Sequence, residues 1–153
     1  MKKTVLLLFM IIAATHLSAQ AAEDIETLLS KDSVTYSDAA YIMLGTADRI
    51  DSDASPEQAF QLLQELIPHF SGINGSDPVT TAEVSLIGNH VFQVSPGILA
   101  RLTGSPRYAF RDARFRRILQ SQVNPNDPVS GNSLIQLAGQ YSTYVENGHP
   151  ARM

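Results

Sequence analysis

Asp77-Pro78-Val79-Thr80-Thr81-Ala82-Glu83 reads as the start of a helix. A threonine side chain accepts one of the free amide hydrogens at a helix N-terminus, and an acid three residues later returns the bond to the cap backbone. Val79, just before the cap, is the apolar half of a hydrophobic staple. The same grammar recurs at Asp32-Ser33-Val34-Thr35, followed by Tyr36-Ser37-Asp38-Ala39-Ala40, and at Asp127-Pro128-Val129-Ser130, followed by Gly131-Asn132-Ser133-Leu134-Ile135. Asp38 completes a capping box in the first of these; the third has Ser133 where the acid would stand, which predicts a weaker cap.

Amphipathic helices are expected behind each cap. Ala39, Ala40, Ile42, Met43 and Leu44 mark one over about 36–47, Val84, Ile87 and Val91 one over about 81–92, and Leu134, Ile135, Leu137, Ala138 and Tyr141 one over about 131–145. Between them, Ser55-Pro56-Glu57-Gln58 caps a helix whose apolar rows run through Phe60, Leu63 and Ile67 until Pro68 stops it. Ser95-Pro96 opens a short helix to about Thr103, and Ser105-Pro106 a longer one to about Gln122, with Tyr108, Phe115, Ile118 and Leu119 able to turn to the core. The fold class is therefore all-α: a small orthogonal or repeated helical-hairpin bundle of six to seven short helices.

Three cap-helix units, near 32–47, 77–92 and 127–145, recur after 45 residues and then 50 (Val34 to Val79 to Val129), a period seen in helical-repeat architectures. Independent use of good capping residues gives the same pattern without duplication, and both readings stand at this point.

The first 21 residues have the layout of an export signal. Lys2 and Lys3 precede an apolar run from Val5 to Ala14, and Ala19-Gln20-Ala21 is a small-x-small cleavage pattern, with Leu17-Ser18-Ala19 as a nearby alternative. The apolar run is too short to span a bilayer, which needs about 20 residues. Residues 1–21 are thus expected to be removed, leaving a single domain over 22–153 in the periplasm or otherwise outside the cytoplasm. With 44% apolar and 17% charged residues the chain is neither disordered nor a multi-pass membrane protein. It has no cysteine, so disulfides, thiolate metal sites, cysteine nucleophiles and a lipobox anchor are excluded.

Six of the eleven basic residues lie between 101 and 117, all arginine, opposed there only by Asp112. That segment carries a net charge of +5, and the rest of the mature chain about −11. Arg107, Arg111, Arg114 and Arg117 step by four, three and three, which sets them on one face of the expected helix. Guanidinium groups bind carboxylates and phosphates with two parallel hydrogen bonds, so this face suits recognition of an acidic group. The competing reading pairs it internally with Asp48, Asp51, Asp53 and Glu57. A membrane surface is the weaker reading, because the stripe lacks a matching exposed Trp, Phe and Leu face and the chain has no cysteine for a lipid anchor. An acidic exported chain also disfavours nucleic acid as a partner.

The cap motif Asp77-Pro78-Val79-Thr80-Thr81-Ala82-Glu83 resembles the end of an S-layer homology repeat, usually Pro-(Ile/Val)-Thr-Arg-Ala-Glu, over about ten residues per copy. That resemblance implies helical hairpins that bind anionic cell-wall polymers. The arginine of the motif is replaced by Tyr36, Thr81 and Gly131 in the three copies. Ser105 to Arg111, Asp127 to Leu137 and Ser33 to Tyr41 are together similar to uncharacterised exported proteins of spirochaetes, a resemblance that implies an envelope-associated role and no activity.

Motifs for chemistry are lacking. Asp51-x-Asp53-x-Ser55 imitates a calcium loop but has Pro56 at the glycine position and Leu62 at the position of the bidentate glutamate. His69, His90 and His149 have no zinc spacing, Gly72-Ile73-Asn74-Gly75 lacks a phosphate-loop ending, and neither Gly-x-Ser-x-Gly nor Ser-x-x-Lys occurs. The sequence therefore predicts neither enzyme, metal nor cofactor. It predicts an exported interaction protein that docks an acidic partner through Arg107, Arg111, Arg114 and Arg117, or alternatively a binding module for peptidoglycan or another anionic wall polymer.

Overall fold

The computed structural model describes residues 25–120 and 122–148. The expected export signal lies outside the described residues, as do His149 and Arg152. Helix α1 runs through 25–29, followed by α2 (Tyr36–Thr46), α3 (Pro56–Leu66), a 3₁₀ turn (Pro68–Phe70), α4 (Thr81–Val91), α5 (Ile98–Thr103), α6 (Pro106–Phe115) and α7 (Gly131–Glu146). The fold is a small all-α bundle, with no sheet among the described residues. None of the described helices is long and apolar enough to cross a membrane.

The three caps meet. Val79 N–H donates to Val34 O at 3.1 Å, Val34 N–H to Val129 O at 2.8 Å, and Val129 N–H to Val79 O at 3.3 Å, closing a ring of main-chain hydrogen bonds. All three valine side chains are buried beneath this ring. A second tier surrounds it. The first helical amide of each capped helix, otherwise an orphan donor, finds a carbonyl in the loop before the next cap: Tyr36 N–H to Asp77 O at 3.1 Å, Thr81 N–H to Asp127 O at 3.0 Å, and Gly131 N–H to Lys31 O at 3.0 Å. The second amides follow suit, Ser37 N–H to Gly75 O at 3.0 Å and Ala82 N–H to Pro125 O at 2.9 Å.

Helices α2, α4 and α7 lead away from the ring and pack on one another, while α3 covers α2 and α6 covers α4 with α5 alongside. The third cover is α1. Gly131 lies so close under the backbone of Leu28 that a Cβ there would meet Leu28 C at 2.6 Å. The core between these layers holds Met43, Leu44, Leu63, Phe70, Val84, Ile87, Leu134 and Tyr141, all fully buried.

The caps differ in strength. Thr35 and Asp38 form the reciprocal box, with Thr35 N–H to Asp38 Oδ2 at 2.9 Å and Asp38 N–H to Thr35 Oγ1 at 3.2 Å, and Lys31 adds an ion pair to Asp38 at 2.9 Å. Glu83 accepts from both the backbone N–H and the hydroxyl of Thr80, at 2.8 and 2.7 Å. Ser130 has only the Ser133 amide at 3.3 Å and the Ser133 hydroxyl at 2.9 Å.

Helix α6 ends earlier than the sequence suggests, at Phe115 rather than near Gln122. Arg117 turns left-handed (φ 61°), Ile118 N–H returns to Ala113 O at 2.9 Å, and Ile118 and Leu119 drop into the core. This is a Schellman ending with arginine where glycine is usual. Helices α2 and α4 end in the same way, with Asp48 (φ 54°) and Gln93 (φ 54°) in the left-handed position.

Candidate functional site

Helix α6 buries Ala109, Phe110 and Ala113 against the core, so Arg107, Arg111 and Arg114, stepping by four and three, come out on its far side. Arg111 lies over the Tyr108 ring at 5.9 Å and Arg114 over Phe110 at 5.7 Å, contacts that hold the guanidinium groups against their own helix. Arg117 does not join them. Its left-handed backbone lies beyond the helix end, and its side chain lines a different part of the surface. Arg116 acts as a structural strap, donating to Ser95 O at 2.6 Å and to the Tyr144 hydroxyl at 2.8 Å.

The internal pairing with Asp48, Asp51, Asp53 and Glu57 does not form for Arg107, Arg111 or Arg117 among the described residues. Asp48, Asp51 and Asp53 follow α2 and Glu57 lies in the first turn of α3, whereas α6 packs on α4 and α5. Asp112, the one acid of the arginine segment, is turned aside: its Oδ2 accepts the Gly97 N–H at 2.6 Å and so fastens the start of α5 to α6.

Helix α5 is unlike the longer helices. Its only buried residue is Ala100, and it turns apolar side chains to solvent, Ile98 at 80% exposure, Leu99 at 51% and Leu102 at 75%. Phe115, expected in the core, is 89% exposed; it stands one turn beyond the Asp112 latch. The absence of an apolar face beside the arginines, inferred from sequence, is thereby corrected. In sequence Ile98, Leu99 and Leu102 look like core residues; nothing in their spacing marks them as a surface.

A second region lies at the first-turn positions Tyr36, Thr81 and Gly131, which the ring makes equivalent. Tyr36 fills its own recess, its ring 6.1 Å from Phe60 and 5.6 Å from Phe70, and burial beside Glu83 pushes its phenol far above the usual tyrosine range. Gly131 is covered by α1. At Thr81 a groove of about 300 Å³ stays open, lined by Gln120, Gln122, Asp127, Ser133, Gln136 and Gln140 among others. Gln136 and Gln140 also line the adjoining recess of about 570 Å³ that contains Arg117, Thr143, Tyr144 and Asn147. Amides, hydroxyls and one guanidinium along a shallow channel can hydrogen-bond a polyhydroxylated chain and hold an anionic substituent.

Histidine chemistry finds no such assembly. His90 borders a cavity of about 750 Å³ under α5, where burial lowers its pKa, and no three metal-ligating side chains gather among the described residues. No family model matches the chain, and no curated protein or solved structure is significantly similar to it.

Proposed function

We propose that this chain is an exported interaction protein that docks an acidic partner through the α5–α6 face. The observation that carries the reading is that α6 exposes Arg107 and Arg111 and packs against α5, which exposes Ile98, Leu99 and Leu102, while Asp112 is drawn to the Gly97 amide. An apolar patch rimmed by charge of one sign is the usual make-up of a recognition surface. The role is binding rather than catalysis, and Arg114 completes the charged ridge.

The test is charge reversal. Arg111→Glu with Arg114→Glu should leave the thermal melt intact and abolish salt-sensitive binding to an anionic probe such as poly-glutamate. Loss of folding would instead make the ridge part of the internal structure and end the proposal.

The open groove at Thr81 favours one further reading, a site for an anionic wall polymer, in line with the resemblance of the caps to S-layer homology repeats. Arg117, which leaves the α6 ridge, would serve that site. Co-sedimentation with purified sacculi separates the two: the wall reading requires retention at physiological salt that Gln136→Ala with Gln140→Ala removes and the α6 charge reversal does not.

A further inference from the structure

The geometry points to the anionic surface of a lipid bilayer as the partner of the α5–α6 face, an inference that rests on the docking reading above and names its occupant. Two features point to this occupant. The exposed apolar residues of α5 are aliphatic and sit on a short convex helix rather than in a pocket, so they suit insertion among acyl chains more than packing against a shaped protein surface. The exposed charges of the two packed helices include the guanidinium groups of Arg101 on α5 and of Arg107 and Arg111 on α6, long side chains that reach phosphate oxygens while their stems lie along apolar surface.

The charge distribution sets the orientation. With Arg101, Arg107 and Arg111 exposed on these two helices and a net charge of about −11 on the mature chain outside residues 101–117, an anionic leaflet attracts this face and repels the remainder. The Asp112 carboxylate, held at 2.6 Å by the Gly97 amide, is kept off the docking face and ties the aliphatic helix to the arginine helix, so both approach the surface together. None of this requires a spanning segment.

The protein, purified in the form that the producing cell accumulates, would be sedimented with vesicles of phosphatidylcholine alone and with phosphatidylglycerol added, at low and physiological salt. Retention should depend on the anionic lipid and fall with salt. Arg107→Gln with Arg111→Gln should weaken it by about 30-fold, from the contribution of each cation near a charged leaflet. Ile98→Ser with Leu102→Ser, which leaves the charge unchanged, should weaken it by at least about tenfold. All these side chains are exposed, and circular dichroism would confirm that the variants fold. Absence of retention on anionic vesicles, or full retention of the Ile98/Leu102 variant, overturns the bilayer assignment. If vesicles fail but poly-glutamate binds through the same arginines, the docking reading survives with a protein partner; if both probes fail, it falls as well.

Discussion

Two glycines in helix interiors should respond oppositely to the same substitution. Gly88 in α4 and Gly139 in α7 are both helical, and replacement by alanine gains about 1 kcal/mol of helix propensity at either site. At Gly139 nothing lies within 4 Å of an added Cβ, so that gain should appear in full. At Gly88 the added carbon would meet Tyr141 Cζ at 2.5 Å and Cδ2 at 2.8 Å. The ring cannot step aside easily. It is fully buried, stacked on Phe92 with centroids 5.5 Å apart, and its hydroxyl lies 3.1 Å from Ser85 O and 3.0 Å from Asn89 Oδ1. Overpacking of this kind costs about 1–3 kcal/mol, and a displaced buried hydroxyl about 1–3 more. Gly88→Ala should therefore destabilise by about 1–5 kcal/mol net, and Gly139→Ala stabilise by up to about 1 kcal/mol. In thermal or urea melts the two variants should lie on opposite sides of the parent, and Tyr141→Leu should relieve the Gly88→Ala penalty with a coupling above about 1 kcal/mol. A Gly88→Ala protein that melts at or above the parent would refute the packing of α4 against α7 described here.

Other substitutions probe the caps and the buried phenol. Thr80→Ala should cost about 1 kcal/mol by removing the hydroxyl that binds Glu83, and an unchanged melting temperature would mean that α4 does not depend on this cap. Arg117→Gly should stabilise by up to about 1 kcal/mol, because glycine adopts the left-handed position without strain; a loss measured by urea denaturation would show that the arginine side chain contributes more than its backbone costs. Burial raises the Tyr141 pKa, so the folded state retains its proton where the unfolded state loses it. Stability from this residue is then complete below about pH 10 and declines as pH rises above it, and the decline between pH 9 and about pH 11 should be shallower in Tyr141→Phe.

The helix starts were readable because capping is a short-range code: Thr35, Ser55, Thr80 and Ser130 each sit three residues before their partners. The ends were not. The three Schellman endings place Asp48, Gln93 and Arg117 where glycine would have given the signal, and what drives α6 to stop is the burial of Ile118 and Leu119, a tertiary effect. For the same reason the four-arginine face was only partly legible, since its last member depended on the helix continuing. The outward side chains of α5 were hidden for another reason: the helix starts at Ile98 behind Gly97 rather than at the expected Ser95-Pro96, and apolar residues in so short a helix carry no mark of which way they face. A longer match was available. Ile73-Asn74-Gly75-Ser76-Asp77-Pro78-Val79-Thr80 and Val123-Asn124-Pro125-Asn126-Asp127-Pro128-Val129-Ser130 align over eight positions, and both loops supply the carbonyls of the second tier.

The ring explains how one framework carries different surfaces. Its bonds are made by main chain, so beyond a buried valine and a small cap they place few demands on the residues that follow. The first-turn positions are free to diverge: a tyrosine plug at Tyr36, an open groove at Thr81, a covered glycine at Gly131. The connections can diverge as well. Between the second and third caps the chain takes 50 residues where the first interval takes 45, and this longer interval includes α5. A helix that buries one alanine and exposes three aliphatic side chains adds little to the core, since each exposed leucine or isoleucine forgoes the roughly 1.5–3 kcal/mol its burial would bring. Yet α5 is fastened in place by Asp112 on Gly97, while Arg116 holds Ser95 just ahead of it. Two specific side chains that secure a helix of so little value to folding are best understood as support for what that helix presents.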